Sequence, residues 1–201
     1  YEEYPLFGAY TTAVNKAHTA SVPVTSGNES YTLDVHVADD GVGVRLRLAA
    51  KQGRRVEAER STWRLEGDPT MWVTEQDQSY EAHYRTKSLS TLGTARYGMP
   101  VTAKVGSVYV SINESTVKNY GDMALRVGNG GALEGYLYAD ATGWTTDAEV
   151  VQPWRVTVIA DDLTALVNST LVQDLAPPKD ASLTNEDWIK PGRSTWQWMA
   201  A

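Results

Sequence analysis

A repeat of two residues dominates this sequence and constrains its fold more than any other feature. From Tyr31 to Val37 the odd-numbered positions are apolar and the even-numbered ones are polar. Residues 38–41 supply a turn, and apolar residues alternate again from Val42 to Leu48. A period of two is that of a β-strand with one buried face, so this pattern predicts a β-hairpin with one apolar face and one wet face.

Short runs of the same kind recur along the chain, and clusters of Gly, Pro, Asn and Asp separate most of them. The further predicted strands cover residues 56–65, 71–75, 82–84, 101–105, 108–114, 123–127, 133–138 and 154–159. A single helix is predicted over 162–173, where Asp161 or Asp162 can cap its amino end. Many short strands at this spacing predict an all-β fold, an antiparallel β-sandwich with one short helix, rather than βαβ units.

The composition excludes several classes of function. The 201-residue chain has a formal net charge of −7, and acidic residues interleave with and flank the basic ones between Arg45 and Arg64. No basic stripe is therefore available for a nucleic-acid backbone. The absence of Cys excludes disulfides and thiolate metal sites. No apolar run approaches the length of about 18 residues that a membrane-spanning helix requires. From the charge pattern we expect no nucleic-acid partner, and from the lack of a long apolar run we expect no membrane span.

Glu114 is the most informative single residue. In one predicted strand Val110 and Ile112 share a face, and the period of two places Glu114 in the same row. A carboxylate that continues a buried row is costly unless it is paired, hydrogen-bonded or bound to a cation. Two interpretations stay open at this point. In the first, Glu114 is structural: it faces solvent or pairs with an Arg such as Arg126 or Arg155. In the second, Glu114 is a ligand of Ca²⁺, which binds carboxylate oxygens at strand and loop ends.

Four segments, in order, resemble the amino-terminal domain of glycoside hydrolase family 97. They are residues 40–45 (DGVGVR), similar to the family's DGvafRY strand; 110–123, with INES and NYGDM, similar to ItEA and dYpgM; 153–156 (PWRV), similar to PWRvi; and 188–198 (WIKPGRSTWQW), similar to WIkPGka with its following Trp residues. The resemblance covers roughly residues 30–201. Ser115 stands where the family usually has Ala, a small residue for a small residue.

The resemblance implies a β-super-sandwich followed by a (β/α)₈ barrel that carries the chemistry. The expected boundaries are a sandwich domain over residues 1–175, then a linker and the first barrel strand over 176–201. The C-terminal tail would then lead to a missing barrel, and no catalytic residue is expected in this chain.

The resemblance also implies the binding residues. In this family a Glu of the sandwich helps to bind Ca²⁺ in the active site of the barrel, and by motif position that residue is Glu114. The Ca²⁺ ion would be shared with the absent barrel domain. Trp196 and Trp198 would lie on the first barrel strand, where they either line the sugar pocket or belong to the barrel core.

The resemblance finally implies an exo-acting α-glycosidase, of α-glucosidase or α-galactosidase type. Its substrate would be an oligosaccharide, and the enzyme would be periplasmic or secreted in a bacterium. The alternative is a stand-alone carbohydrate-binding β-sandwich module without catalysis, in which Trp and Tyr side chains form a stacking platform for sugars.

Overall fold

The computed structural model describes residues 1–6, 10–76, 81–137, 142–185, 187–190, 192 and 195. Its strands are β1 (Glu2–Pro5), β2 (Thr12–Asn15), β3 (Ala17–Ser26), β4 (Glu29–Ala38), β5 (Gly41–Leu48), β6 (Arg54–Val56), β7 (Thr62–Trp63), β8 (Thr70–Val73), β9 (Arg85–Ser88), β10 (Tyr97–Gly98), β11 (Val101–Val105), β12 (Val108–Ser115), β13 (Met123–Val127), β14 (Leu133–Leu137), β15 (Trp144–Thr146), β16 (Val150–Val151) and β17 (Trp154–Ala160). The α-helices are α1 (Leu163–Asn168) and α2 (Leu171–Asp174). Within the described ranges no helix is long and apolar enough to cross a membrane.

Two antiparallel sheets form the body of the fold. The larger sheet has nine strands in the order β3-β4-β5-β17-β12-β11-β8-β9, with β16 paired to β5 as the ninth. The smaller sheet has the order β10-β13-β14-β7, and two strand pairs, β1-β2 and β15-β6, lie apart. The predicted all-β antiparallel sandwich is therefore confirmed.

The main core lies between the small sheet and one half of the large one. Its fully buried side chains come from β8, β11 and β12 on one side and from β10, β13 and β14 on the other: Met71, Val73, Tyr97, Val101, Ala103, Ile112, Met123, Leu125 and Leu133. At the border of this core the indole Nε1 of Trp63 on β7 donates a hydrogen bond to Thr157 Oγ1 on β17, at 3.0 Å. The small sheet therefore covers the large sheet as far as β17.

The two helices cover part of the opposite face of the large sheet, where Leu171 and Leu175 pack on Val156 and Val158. This close approach requires glycine on β5. A Cβ atom on Gly43 would lie 2.5 Å from a methyl carbon of Leu175.

The predicted helix over 162–173 is only partly right. Asp162 caps α1, and its side chain accepts a hydrogen bond from Ala165 N at 2.8 Å. The helix is interrupted at residues 169–170, however, and α2 begins at Leu171. In a continuous helix Val167 and Leu171, four residues apart, would lie on one face. Because of the break, Leu171 is fully buried while Val167 is 80% exposed.

The predicted wet face of the β4–β5 hairpin is buried on β4 and half-buried at Arg45 and Arg47 on β5. Asp34 and His36 are 4% and 5% exposed. Asp34 accepts four hydrogen bonds: from Arg45 Nε at 2.9 Å, from Arg47 Nε at 2.7 Å and Nη2 at 2.9 Å, and from Ser21 Oγ at 2.7 Å. The prediction was wrong because a buried carboxylate is tolerated when charged donors satisfy it.

Candidate functional site

Glu114 lies where the alternation predicted it, near the end of β12 and in line with buried apolar residues. Ile112 and Val110, two and four positions earlier, are buried. The register of the antiparallel pair places Glu114 directly opposite Arg155 on β17. The side chain of Glu114 is 13% exposed, so the carboxylate is neither free in solvent nor sealed in the core.

Arg155 holds two carboxylates at once. Its Nη1 donates to Glu114 Oε2 at 2.6 Å, and its Nε donates to Glu59 Oε1 at 2.6 Å. A further bond from Nη2 to Glu59 Oε2 makes the contact with Glu59 bidentate. The fork of the guanidinium matches a carboxylate in this way and fixes both groups in orientation. The other oxygen of Glu114 accepts a hydrogen bond from Met123 N at 3.2 Å.

The two carboxylates differ in their electrostatic situation. Burial raises the pKa of Glu114 above its ordinary value, and the charge of Arg155 and the Met123 N–H only partly oppose this effect. Burial acts in the same direction on Glu59, but the hydrogen bonds and charge of Arg155 outweigh it, so the pKa of Glu59 is lowered. Glu59 is thus the principal counter-ion of Arg155, and Glu114 is the carboxylate whose charge is less compensated.

Tyr120 completes the group that we call the Arg155 cluster: Glu59, Glu114, Tyr120 and Arg155. The guanidinium carbon of Arg155 lies 5.9 Å from the centre of the Tyr120 ring, within the range of a cation–π contact. Trp144 meets the Tyr120 ring edge-on at 5.0 Å. Burial, with a contribution from Glu59, raises the pKa of Tyr120, so its phenol is neutral.

A short turn after β12 fixes the end of the strand that carries Glu114. Thr116 and Asn119 both have positive φ, 63° and 54°, a conformation that is costly for residues other than glycine. Two hydroxyl groups tie this end to α2 and the residue after it: Ser115 Oγ donates to Val172 O at 2.8 Å, and Thr116 Oγ1 to Leu175 O at 3.0 Å. Ser115, which stands where the family that this sequence resembles usually has Ala, therefore makes a hydrogen bond that Ala could not make.

The Arg155 cluster borders an open groove of about 780 Å³. Glu59 and Tyr120 line it on one side, and the apolar side chains of Leu46, Leu48 and Val150 form another part of its wall. The arrangement can hold a carboxylate in a fixed orientation beside this groove. It offers no pair of free carboxylates for acid–base chemistry, because Arg155 occupies both.

Of the residues predicted to bind ligands, Glu114 alone lies in the described part of the chain. Trp196 and Trp198 lie outside it, and their assignment to a sugar pocket stays a prediction. The sequence analysis missed Glu59, which comes from the irregular segment between β6 and β7. It named Arg155 as one possible partner of Glu114, and the hydrogen bond between them confirms that pairing.

Comparison with known proteins gives one family. The family model described as the glycosyl-hydrolase 97 N-terminal domain matches residues 1–178. No curated protein sequence matches this chain.

Solved structures give the same fold. A glycoside hydrolase family 97 enzyme from Pseudoalteromonas sp. strain K8, solved in complex with acarbose, superposes with a TM-score of 0.82 at 22% identity. That match covers 95% of this chain and 30% of the other. The family 97 enzyme from the same strain was also solved with panose, and that structure gives the same coverage and TM-score at 23% identity. A β-arabinopyranosidase matches with a TM-score of 0.69 at 18% identity, covering 84% of this chain and 31% of the other.

The chain thus spans about a third or less of the length of these enzymes. The family model reaches from the first residue to just beyond α2, across both sheets of the sandwich and the Arg155 cluster. The chain belongs to glycoside hydrolase family 97 and carries the amino-terminal domain of that family.

Proposed function

We propose that this domain is the non-catalytic part of a calcium-dependent, exo-acting α-glycosidase of α-glucosidase or α-galactosidase type. In this proposal the domain supports a catalytic barrel, and Glu114 is one ligand of a Ca²⁺ ion that the two domains share. One observation carries the proposal: Glu114 ends a buried strand row as an oriented, partly accessible carboxylate whose charge Arg155 does not fully compensate.

The Arg155 cluster has the chemistry of a site that supplies one carboxylate ligand to a hard cation. Two carboxylates against one guanidinium leave the cluster with an excess negative charge. Each oxygen of Glu114 accepts one hydrogen bond, and an ionised carboxylate has about four acceptor sites, so capacity for a cation remains. Ca²⁺ takes roughly six to eight oxygen ligands. The described part of the chain holds no group of three or more His, Cys, Asp or Glu residues that could bind a metal. The proposal therefore assigns the other ligands to the catalytic domain.

The residues around Glu114 then have definite tasks. Arg155 orients the Glu114 carboxylate, and Glu59 balances the charge of Arg155 inside the sandwich. Ser115 and Thr116 hold the end of β12 against the α2 region. A bound Ca²⁺ would supply positive charge that orients polar groups at the interface of the two domains.

The choice of substrate rests on the relatives. The Pseudoalteromonas enzyme was solved with acarbose and with panose, which supports an α-linked oligosaccharide as the substrate class of the intact enzyme. The β-arabinopyranosidase has a lower TM-score and lower identity to this chain, so it gives weaker support for its own substrate type.

Calcium binding tests the proposal directly. The protein joined to a catalytic domain is stripped with EDTA and titrated with Ca²⁺ while the hydrolysis of p-nitrophenyl α-glucoside and α-galactoside is followed. We expect Glu114→Gln to raise the Ca²⁺ concentration for half-recovery by about tenfold or more, a loss of about 1.4 kcal/mol in binding free energy. Glu57→Gln is the matched control, since Glu57 is an exposed carboxylate beside the same groove. Equal Ca²⁺ requirements for the two variants would contradict the assignment of Glu114.

The isolated 201-residue chain separates the alternative function from this one. We expect it to hydrolyse neither α-glycoside and to migrate unretarded through gels that contain soluble α-glucans. Clear retardation in the gel would favour a carbohydrate-binding module, and turnover of either substrate would contradict a non-catalytic role.

A further inference from the structure

The outer face of the small sheet carries an aromatic ring in contact with two guanidinium groups. Leu125 on β13 and Leu133 on β14 point into the main core, so the alternation along a strand turns Arg126 and Tyr136 to the opposite, outer face. The guanidinium carbons of Arg126 and Arg96 lie 5.3 Å and 5.5 Å from the centre of the Tyr136 ring, within the range of cation–π contacts. Two positive groups are thus brought to one place on a chain whose formal net charge is −7.

A cavity of about 400 Å³ opens beside this ring, and we call it the Tyr136 cavity. Glu75, Gln76, Arg96 and Arg126 contribute to its wall together with Tyr136. The volume lies within the range of about 300–1,000 Å³ that is typical of small-ligand sites. None of the described residues that line the Tyr136 cavity belongs to the Arg155 cluster, so this is a separate site.

Arg126 has N–H donors that the described part of the chain does not use. The carboxylate that pairs with it, that of Glu134, lies 3.7 Å from Nη2, a distance too long for a hydrogen bond. Glu75, the acidic residue in the cavity wall, is bound instead by Lys87 Nζ at 2.9 Å. A carboxylate that enters the cavity therefore meets a guanidinium fork with free N–H groups, and this fork binds carboxylates in a bidentate way.

Gln76 brings a second unused group to the wall. The residue is 4% exposed, and its Oε1 has no hydrogen-bond partner in the described ranges. Buried acceptors without a partner are rare in folded proteins unless a water molecule or a ligand completes them. The amide rotates about its last side-chain torsion, which has a broad preference, and can thereby present Oε1 to the cavity. A hydroxyl group in the cavity would then satisfy it.

The two unused groups specify complementary features of a ligand. The N–H groups of Arg126 require a negatively charged acceptor, and Gln76 Oε1 requires a donor such as a hydroxyl. The Tyr136 ring adds an apolar surface to an otherwise polar wall. A neutral sugar supplies the hydroxyl but leaves the guanidinium unpaired, and a simple anion does the opposite. A sugar acid supplies both groups in one molecule.

We propose that the Tyr136 cavity binds an acidic saccharide, a sugar or glycan end that carries a carboxylate. The carboxylate binds to Arg126, a hydroxyl donates to Gln76, and Tyr136 forms the apolar part of the wall. This site is additional to the function proposed above and does not depend on it. Neutral α-glucans lack the carboxylate, so the unretarded migration expected in α-glucan gels is also expected with this site present.

NMR on the isotope-labelled 201-residue chain tests the proposal, because it reports both the affinity and the location of a ligand. Sodium D-glucuronate is the probe, and D-glucose and sodium acetate are compared with it at constant ionic strength. We expect glucuronate to shift the amide signals of β13, β14 and residues 94–96 in a saturable way, and the other two compounds to bind at least about tenfold more weakly. Arg126→Gln should raise the Kd for glucuronate at least about tenfold. Arg64→Gln is the matched control and should leave the Kd unchanged, because Arg64 is an exposed arginine next to β7 of the same sheet and is not among the residues that line the cavity.

Gln76→Leu separates the role of the amide from that of the charge. This variant should weaken the binding of glucuronate and leave that of acetate unchanged; an unchanged Kd for glucuronate would reject the hydroxyl contact. Equal binding of acetate and glucuronate would reduce the cavity to a site for anions and overturn the saccharide. Equal binding of glucose would remove the role of the charge. The same Kd in Arg126→Gln and Arg64→Gln, or the lack of saturable shifts with glucuronate, would reject the site altogether.

Discussion

Replacement of Arg155 by Met tests the energetic role of the Arg155 cluster. The side chain of Arg155 is 1% exposed, and it makes three charged hydrogen bonds, two to Glu59 and one to Glu114. Removal of one partner from a buried ion pair costs about 3–5 kcal/mol, because the remaining charge has no compensation. For a domain of this size, 1 kcal/mol corresponds to roughly 2–4 °C in Tm. We therefore expect Arg155→Met to lower Tm by about 6–20 °C.

The assays are thermal unfolding, which gives Tm, and urea unfolding, which gives the free energy of unfolding. Both are followed at neutral pH by the fluorescence of the seven Trp residues, with Arg126→Met as the control. Arg126 is 50% exposed and lies 3.7 Å from Glu134, a surface pair worth about 0–1 kcal/mol. A triple variant that also replaces Glu59 and Glu114 by Leu should recover much of the lost stability, since no buried charge then remains. The reasoning is refuted if Arg155→Met and Arg126→Met lose the same free energy of unfolding.

The pH dependence of the same variant has a defined sign. The pKa of Glu59 is lowered in the folded protein, so its stabilising contribution is present above its ordinary pKa of 4.5 and is lost as the pH falls below that value. In Arg155→Met this contribution is absent at every pH. The difference in unfolding free energy between the unmodified chain and the variant should therefore be largest near neutral pH and shrink below about pH 4.5. A difference that stays constant down to pH 3 would contradict this.

Three further predictions concern the sheet and the helices. Asp34→Asn should destabilise the chain at neutral pH by about 1–3 kcal/mol, measured by urea unfolding. The hydrogen bonds of Arg47 lower the pKa of Asp34 despite its burial, so this loss should fade as the pH falls below 3.8, the ordinary pKa of an Asp carboxyl. Leu171→Ala should cost about 2–5 kcal/mol in the same assay, whereas Val167→Ala should change stability by less than about 0.5 kcal/mol. Gly41→Ala should lower Tm sharply, because its Cβ would lie 2.2 Å from Thr157 O at a φ of +152°. Gly93→Ala, with open space around it, should have little effect, and equal changes in Tm for the two variants would contradict the packing described.

The alternation of apolar and polar residues along the sequence correctly predicted the strands that bury a single row of apolar side chains. Strands β11 and β13 have the predicted bounds, and β12 and β17 differ from them by one residue at one end. Strand β14 agrees with its prediction over residues 133–137, and residue 138 lies outside the described residues. Strand β3 escaped prediction because its side chains are small or polar and its sequence contains Pro23, features of an edge strand that is held mainly by its neighbour β4. The predicted strand over 82–84 lies instead at Arg85–Ser88, where pairing with β8 determines it.

The candidate site could likewise be predicted only in part from the sequence. The row that leads to Glu114 follows from local periodicity, which the sequence displays. The pairing of Glu114 with Arg155 depends on which strands are neighbours, and the contact of Arg155 with Glu59 joins residues 96 positions apart. No local pattern encodes such contacts, because they arise from the order of strands in the sheet. The reversal of faces on β4 has the same origin: Arg45 and Arg47 neutralise Asp34 only once β4 and β5 are in register.

The hydroxyl groups of Ser115 and Thr116 have a mechanical consequence. They join the strand end that bears Glu114 to the backbone at Val172 and Leu175, just before the polypeptide leaves the sandwich. These two bonds act together with the packing of Leu175 on the large sheet. A pull on the outgoing chain therefore acts on an anchor that lies beside Glu114.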